Sequence, residues 1–412
     1  MKQCSNDNSN QFPLKGYRIM DFGMVLAGGL ATANLADMGA EVIKIESMHR
    51  LDTMRTGRPL VGEMLDPDQQ PLHHNVNRGK LSFTVNFKSN KGQELLQRLA
   101  AISDAVVENM SPGTLTRVNL DYETLKVFKP DLVMISFSAA GQYGPYNNLI
   151  GYGPTMSALS GMDSIAGYYN EPVLGMHTPW PDMHSALSTS FCLLTALRLR
   201  NRLGIGQHID ISQWEASTSI LGPLILDYQM NGRQWRPTGN HSWNMAPHGI
   251  YACSGEDAWV AIAIETEEQW KSFCSLINVN LLPEDSRFSD LFSRIAHKTE
   301  LDAIVTEWTS DQEPWTVAMR LQNQDIPAAP CMRLKDRLND PHFEARDIFL
   351  NIDHPILGKE IISGIPWKLS QSSGGVINRS PLMGEHIQYV AGDLLGLSKR
   401  EIRSLKSQEV LH

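Results

Sequence analysis

Asp182 is the residue whose type and setting most invite chemistry. It follows Pro179-Trp180-Pro181 and stands just before a stretch that predicts a helix from about Met183 to Leu203, closed by Gly204. Two readings fit a carboxylate there. As an N-cap it accepts bonds from the first-turn amides and gains from the helix dipole. As a nucleophile it uses the same geometry to stay ionised and oriented, with nearby free N–H groups ready to stabilise an oxyanion when it attacks a carbonyl. Other chemistries find less support. Glu46 ends a strand about 18 residues beyond Gly28, where a ribose-binding acid sits in nicotinamide folds, but Gly23, Gly28 and Gly29 do not form G-x-G-x-x-G. The chain has no G-x-S-x-G elbow, Walker loop or H-E-x-x-H. His73-His74 is a poor metal site, because neighbours in sequence diverge and no third ligand is evident. We expect no metal.

The elements that must position Asp182 read as α/β. Tyr17–Phe22 is a β-rich run, Gly28-Gly29 breaks it, Leu30–Met38 has helical spacing, and Glu41–Glu46 is a second strand. Ser82–Phe87, then Ser89 as a helix cap before Gly92–Ile102, then Ala105–Asn109 repeat the unit, and Asp131–Ser138 adds a further buried strand. This alternation implies a mostly parallel sheet covered by helices. In the predicted helix after Asp182, the apolar set Ala186, Leu187, Ser190, Phe191, Leu194 and Leu197 predicts the buried face. A loop-rich stretch over 231–249 precedes Ile250–Glu265, which reads as a hairpin around Gly255-Glu256-Asp257. The expected boundaries are a disordered lead-in over 1–15, the N-terminal part of a large domain over 16–230, a small domain over 231–330 and a C-terminal part over 331–412, ending in a helix Lys399–Ser407.

Composition narrows the partners. A chain of 412 residues exceeds the usual single-core ceiling. Its 42% hydrophobic and 20% charged residues argue against disorder, and a net charge of −9 without a basic block disfavours nucleic acid. Apolar stretches fall short of the ~20 residues that span a bilayer, so no membrane partner is expected. The N-terminus lacks the apolar region of a signal peptide. Cys4, Cys192, Cys253, Cys274 and Cys331 are scattered without C-x-x-C spacing, which fits a reducing cytoplasm better than a disulfide framework.

The sequence resembles the class III CoA-transferases over nearly its whole length. The matching segments are YRIMDFGMVLAGGLATANLADMGAEVIKIE, NRGKLSFTVNFKSNKGQELLQRLAAISDAVVENMSPG, SAAGQYGP, APCMRLKDRLNDPHFEARDIF, LMGEHI and, most specific, PDMHSALSTSFCLLTALRLRNRLGIGQHIDISQWEA. The resemblance implies a Rossmann-like large domain built from N- and C-terminal parts, a smaller α+β domain, and ring-shaped protomers interlocked in a dimer. It implies that Asp182 is the nucleophile, that Asn109 and Arg117 contact coenzyme A, which is substrate and product rather than a tightly bound cofactor, and that Gly239 and Asn240 belong to a lid loop. Asn109 as a polar strand end and Arg117 as a surface charge are the plainer alternatives. His184 and His177 could orient or line the acyl group, or simply pack. Leu26 stands where oxalate-type members carry Gln, and Ser47-Met48 stands where they carry Arg.

The implied reaction passes through an aspartyl anhydride and an aspartyl-CoA thioester. YYNEPVLGMHTPWPD and neighbouring passages are similar to the subgroup that includes succinyl-CoA:benzylsuccinate CoA-transferases. That similarity implies succinyl-CoA as donor, an aromatic-substituted dicarboxylic acid as acceptor in anaerobic aromatic degradation, and a homodimer or a heteromer with a homologous subunit. Two rivals remain. An α-methylacyl-CoA racemase carries a G-H-D triplet where this chain has Gly151-Tyr152-Gly153. A non-catalytic partner subunit would keep the fold without the chemistry.

Overall fold

The computed structural model describes residues 12–57, 66–279 and 282–412, so most of the expected lead-in, and Cys4, lie outside the described residues. Contacts divide the chain into two compact units. One comprises the described residues up to Met162, Met176–Asn231 and His342–His412; the other comprises Asp163–Gly175 and Gly232–Pro341.

The first unit is a six-stranded sheet in the order β3-β2-β1-β4-β5-β6. Its strands are β1 (Arg18–Asp21), β2 (Glu41–Glu46), β3 (Leu81–Thr84), β4 (Ala105–Glu108), β5 (Val133–Ser138) and β6 (Gln207–Ser212), all paired in parallel. Ile19 pairs with both Val42 and Ala105, so the chain runs outward on one side of β1 and returns on the other. Loops at the carboxyl ends of β1 and β4 therefore face a crevice at the switch point, where open α/β sheets bind ligands.

The helices are α1 (Val25–Asp37), α2 (Pro71–Val76), α3 (Asn90–Ala101), α4 (Tyr122–Phe128), α5 (Gly153–Ser160), α6 (Trp180–Leu203), α7 (Gln213–Ser219) and α8 (Gly222–Asn231). Met20, Phe83, Val106 and Met134 pack on one face of the sheet with Leu95, Leu96 and Leu99 of α3. Ile19, Val42, Val107 and Ile135 pack on the other with α1 and α6. Burial of both faces explains the apolar runs of β4 and β5, whereas the edge strand β6 alternates half-buried and exposed residues over its first four positions. Ser89 caps α3 through the Gly92 amide, as the sequence suggests.

Two expectations need correction. Gly28 and Gly29 do not break the chain but lie inside α1. A Cβ on Gly28 would stand 2.7 Å from Asn109 Oδ1 and from Gly23 Cα, and one on Gly29 2.7 Å from Val76 Cγ2, so both serve close packing. The predicted face of α6 is only half right. Ala186, Ser190 and Leu197 are buried, joined by Ser185, Thr189, Leu193 and Ala196, whereas Leu187, Phe191 and Leu194 are exposed. α6 lies against the Ala- and Gly-rich α1, with Ser190 Oγ donating to Ala31 O at 2.8 Å, and so close an approach selects small side chains over large apolar ones.

In the second unit, β7 (His248–Ala252), β8 (Trp259–Ala263) and β9 (Ala328–Pro330) form an antiparallel sheet over Trp270, Phe273, Val305 and Leu321. The expected hairpin forms, with Gly255 and Asp257 at positive φ in its turn.

The C-terminal stretch returns to the first unit. There β10 (Phe349–His354) and β11 (Gly358–Ser363) form an antiparallel hairpin. Ile387, Val390, Leu395, Ile402 and Leu411 complete the core around Phe83. The Asn86 amide donates to Val410 O at 2.8 Å, Val85 bridges Leu411, and Thr84 Oγ1 donates to His412 O at 2.6 Å. No helix among the described residues is long and apolar enough to cross a membrane.

Candidate active site

Pro179 is the N-cap of α6, Pro181 fills a first-turn position that has no amide to satisfy, and Asp182 sits in the first turn. The N-cap reading of Asp182 therefore fails, because its side chain caps nothing. Its Oδ1 instead accepts from Gln213 Nε2 at 2.5 Å. Gln213 is the first residue of α7, held where β6 ends by the Ser212 cap. Among the described residues this is the only hydrogen bond to the Asp182 carboxylate. Oδ2 faces Gly153, where a Cβ would stand only 2.9 Å away.

Burial raises the Asp182 pKa above the ordinary aspartate value, and the Gln213 bond offsets part of that rise. A carboxylate with little solvation and one donor is a stronger nucleophile than one saturated with hydrogen bonds. Its place in the first turn of α6 favours the charged form.

Asp182 and Gln213 line an open cavity together with Met24, Val25, Asn109 and Tyr152. A second cavity includes Lys88, Arg117 and His49 on its wall. The two share Met24, Arg50, Leu51, Met110 and Thr114, so the carboxylate chamber and the cationic chamber adjoin. This layout suits an elongated ligand with an anionic end and a reactive carbonyl end.

The predicted residues fare differently. Asp182 and Asn109 share one cavity and Arg117 lines the next. Asn109 also braces the neighbouring backbone, since its Oδ1 accepts from the Met24 amide at 2.7 Å and its Nδ2 donates to Met24 O at 2.9 Å. Arg117 is exposed in a short 3-10 turn and donates to Thr114 Oγ1 at 3.0 Å. His177 is exposed in the loop before α6, while His184 is half-buried with Nδ1 unpartnered among the described residues; neither is on the wall beside Asp182. Gly239 and Asn240 belong to the second unit, where the Gly239 amide donates to Gly167 O and Asn240 O meets His248 Nδ1 at 2.7 Å.

Sequence reading missed Gln213 and Gly153. The QWEA segment and the Gly-Tyr-Gly triplet were in view, but only the fold shows that both face one carboxylate. His73 and His74 have structural partners: His74 Nδ1 meets Glu360 Oε2 at 2.7 Å, and His73 Nδ1 meets Ser380 Oγ at 3.2 Å. Among the described residues no group of three His, Cys, Asp or Glu side chains is arranged to hold a metal ion.

The parallel α/β unit thus brings the partly desolvated Asp182 carboxylate into one cavity with Met24 and Asn109, which follow β1 and β4, the place where open α/β sheets bind ligands. The fold matches the crystal structure of a CAIB/BAIF family protein from Brucella suis with a TM-score of 0.86, at 29% identity, covering 93% of this chain and 100% of that one. Over 406 residues the chain is 31% identical to succinyl-CoA–D-citramalate CoA-transferase of Chloroflexus aurantiacus, covering 97% of this chain and 98% of the relative. It is also 31% identical to the alpha subunit of succinyl-CoA–L-malate CoA-transferase of Chloroflexus aurantiacus, covering 97% and 93% respectively. The model of CoA-transferase family III matches residues 14–387, and the chain belongs to that family and is a CoA-transferase.

Proposed function

We propose that this enzyme moves coenzyme A from succinyl-CoA to a dicarboxylic acid, with Asp182 as the covalent nucleophile. The observation that carries this reading is the Asp182 carboxylate itself, largely buried in a cavity, held by one donor and facing a glycine. Asp182 attacks the thioester carbonyl; its C–O bond forms, the C–S bond breaks, and CoA leaves as the thiolate, giving a mixed anhydride. The thiolate then attacks the aspartyl carbonyl, releasing succinate and leaving an aspartyl-CoA thioester. The acceptor carboxylate attacks that thioester and expels the thiolate again, which finally takes the acceptor acyl group and frees Asp182. Every step exchanges a carboxylate and a thiolate, so the sequence balances without an added proton or electron.

Lys88 and Arg117 suit the phosphates of CoA, and the shared wall leads from them to Asp182. Benzylsuccinate and related substituted dicarboxylic acids of anaerobic aromatic degradation are the proposed acceptors. Both named relatives transfer CoA from succinyl-CoA to four- or five-carbon hydroxy dicarboxylic acids, which supports the donor and the acceptor class. A second, homologous or identical subunit interlocked with this one is part of the proposal, supported by the exposed apolar face of Leu187, Phe191 and Leu194.

The test is to supply purified enzyme with succinyl-CoA, offer benzylsuccinate, citramalate and malate in turn, and add hydroxylamine. We expect a new acyl-CoA with at least one acid, a hydroxamate on the peptide holding Asp182, and a dimer or larger that persists in sedimentation at nanomolar concentration. Transfer without an adduct on that peptide would remove Asp182 from the covalent role.

A further inference from the structure

The segment Gly23-Met24-Val25 links β1 to α1. Its backbone is held by four side chains through five hydrogen bonds: the Gly23 amide to Asp21 Oδ1 at 2.7 Å, Lys44 Nζ to Gly23 O at 2.6 Å, the two Asn109 bonds to Met24, and the Val25 amide to Asp52 Oδ1 at 3.0 Å. Val25 adopts a φ of 60°. That left-handed conformation is a genuine outlier for a β-branched residue and persists only where the surroundings impose it.

Asp52 is itself fixed. Its Oδ1 also accepts from the Met54 amide at 3.0 Å, and its Oδ2 from Lys44 Nζ at 3.2 Å. Both Asp52 and Lys44 are almost fully buried, so their geometry is not shared with solvent. Met24, Val25 and Ala27 form part of the wall of the cavity that holds Asp182. A glycine at position 25 would take this φ without strain, but it would supply no side chain to that wall.

We propose that Asp52, backed by Lys44, is a positioning residue for CoA transfer: by holding the Val25 amide it keeps this turn in its strained form and so sets the cavity wall beside Asp182. This rests on the reading of Asp182 as the nucleophile. Released from Asp52, Val25 returns to ordinary backbone, and the start of α1 moves with it. A group that merely stabilised the fold would not have its loss repaired by a glycine at residue 25; a group that enforces φ would.

The experiment compares Asp52→Ala, Val25→Gly and the double variant, reading kcat and KM for succinyl-CoA, and hydrogen exchange of the peptide spanning Gly23–Ala27. Leu125→Ala, a core truncation far from the site in sequence, controls for lost stability and keeps turnover per folded molecule. Asp52→Ala should lower kcat about 10- to 100-fold with KM within about threefold, and speed exchange at the turn. Adding Val25→Gly should return kcat at least about tenfold. A double variant no faster than Asp52→Ala, or an Asp52→Ala protein with wild-type kcat, overturns the proposal. If Asp52→Ala does not fold, Asp52→Asn, which keeps the acceptor but loses the charge facing Lys44, should give a smaller loss that Val25→Gly also repairs. Were the wild-type protein to transfer no CoA, the functional reading would fall on its own, and unchanged exchange in Asp52→Ala would still refute the hold on Val25.

Discussion

Asp52 and Asp182 border adjoining cavities, and the fold treats them in opposite ways. Burial pushes the Asp52 carboxyl up, yet the Lys44 ammonium and the Met54 and Val25 amides outweigh it and hold its pKa below the ordinary value. Burial also pulls Lys44 down, but Asp52, Asp21 and Glu46 more than compensate. Among the described residues Gln213 is the one hydrogen-bond donor that Asp182 has to set against its burial, and its pKa stays raised. The lesson is one of supply. The carboxylate that holds backbone in place is saturated with donors, while the one proposed to form a bond to carbon is kept short of them.

The largest test of that contrast is Asp182→Asn. The side chain is nearly isosteric and can still meet Gln213, but a neutral amide cannot form the anhydride, so turnover should fall by about three orders of magnitude or more. Stability should move the other way. Because the folded pKa lies above the ordinary 3.8, the folded state loses stability as pH rises through the window from that value to the raised one, and the deficit remains at neutrality. Asp182→Asn should thus raise the melting temperature at pH 7 by about 1–2 °C and do nothing at pH 3. Normal turnover in a protein shown by mass spectrometry to carry Asn would erase the difference between the two aspartates.

Gly153→Ala comes next. Its methyl group would stand 2.9 Å from Asp182 Oδ2 and 3.1 Å from Pro179 Cβ, displacing the carboxylate without removing it. We expect kcat to drop about 10- to 100-fold in a folded enzyme, since displacement by about 1 Å is enough to spoil attack geometry. A silent Gly153→Ala would mean that the oxygen on that side need not stay where it is.

The smallest effect belongs to Gln213→Met. Removing the bond that lowers the Asp182 pKa should shift the acid limb of kcat/KM to higher pH, with most of the rate recovered on the alkaline side of that limb. An unshifted limb together with a uniform loss would make Gln213 an orienting group and not an electrostatic one.

Much of this was readable from residue pattern. Apolar runs separated by helical spacing give the first five strands of the parallel sheet, whereas the edge strand β6, half-buried and exposed by turns over its first four residues, offers no such run and goes unread. Ser89 as a cap and the hairpin around Gly255 follow from local turn and capping chemistry. Errors arose where a second element decides the outcome. Gly28 and Gly29 look like breakers alone and become packing residues once Asn109 and Val76 press on them. Leu187 and Phe191 look like core until α1 proves too close for them. Asp182 resembles a cap because its distance from the helix start is uncertain by a turn, and only the fold shows the cap to be Pro179. Gln213 and Gly153 lie 60 residues apart in the chain and meet only in space. No local pattern could pair them.

The bridge between Val85 and Leu411 carries a consequence for synthesis. The sheet face that Phe83, Leu95 and Leu99 cover early in the chain is finished by Ile387, Val390, Ile402 and Leu411, made roughly three hundred residues later. During translation at roughly 5–20 residues per second, that apolar face waits for about 15 seconds or more before its cover exists. The nascent chain must spend that interval shielded by chaperones or by provisional contacts, and any polypeptide interrupted before Ile387 leaves the same face bare to aggregation.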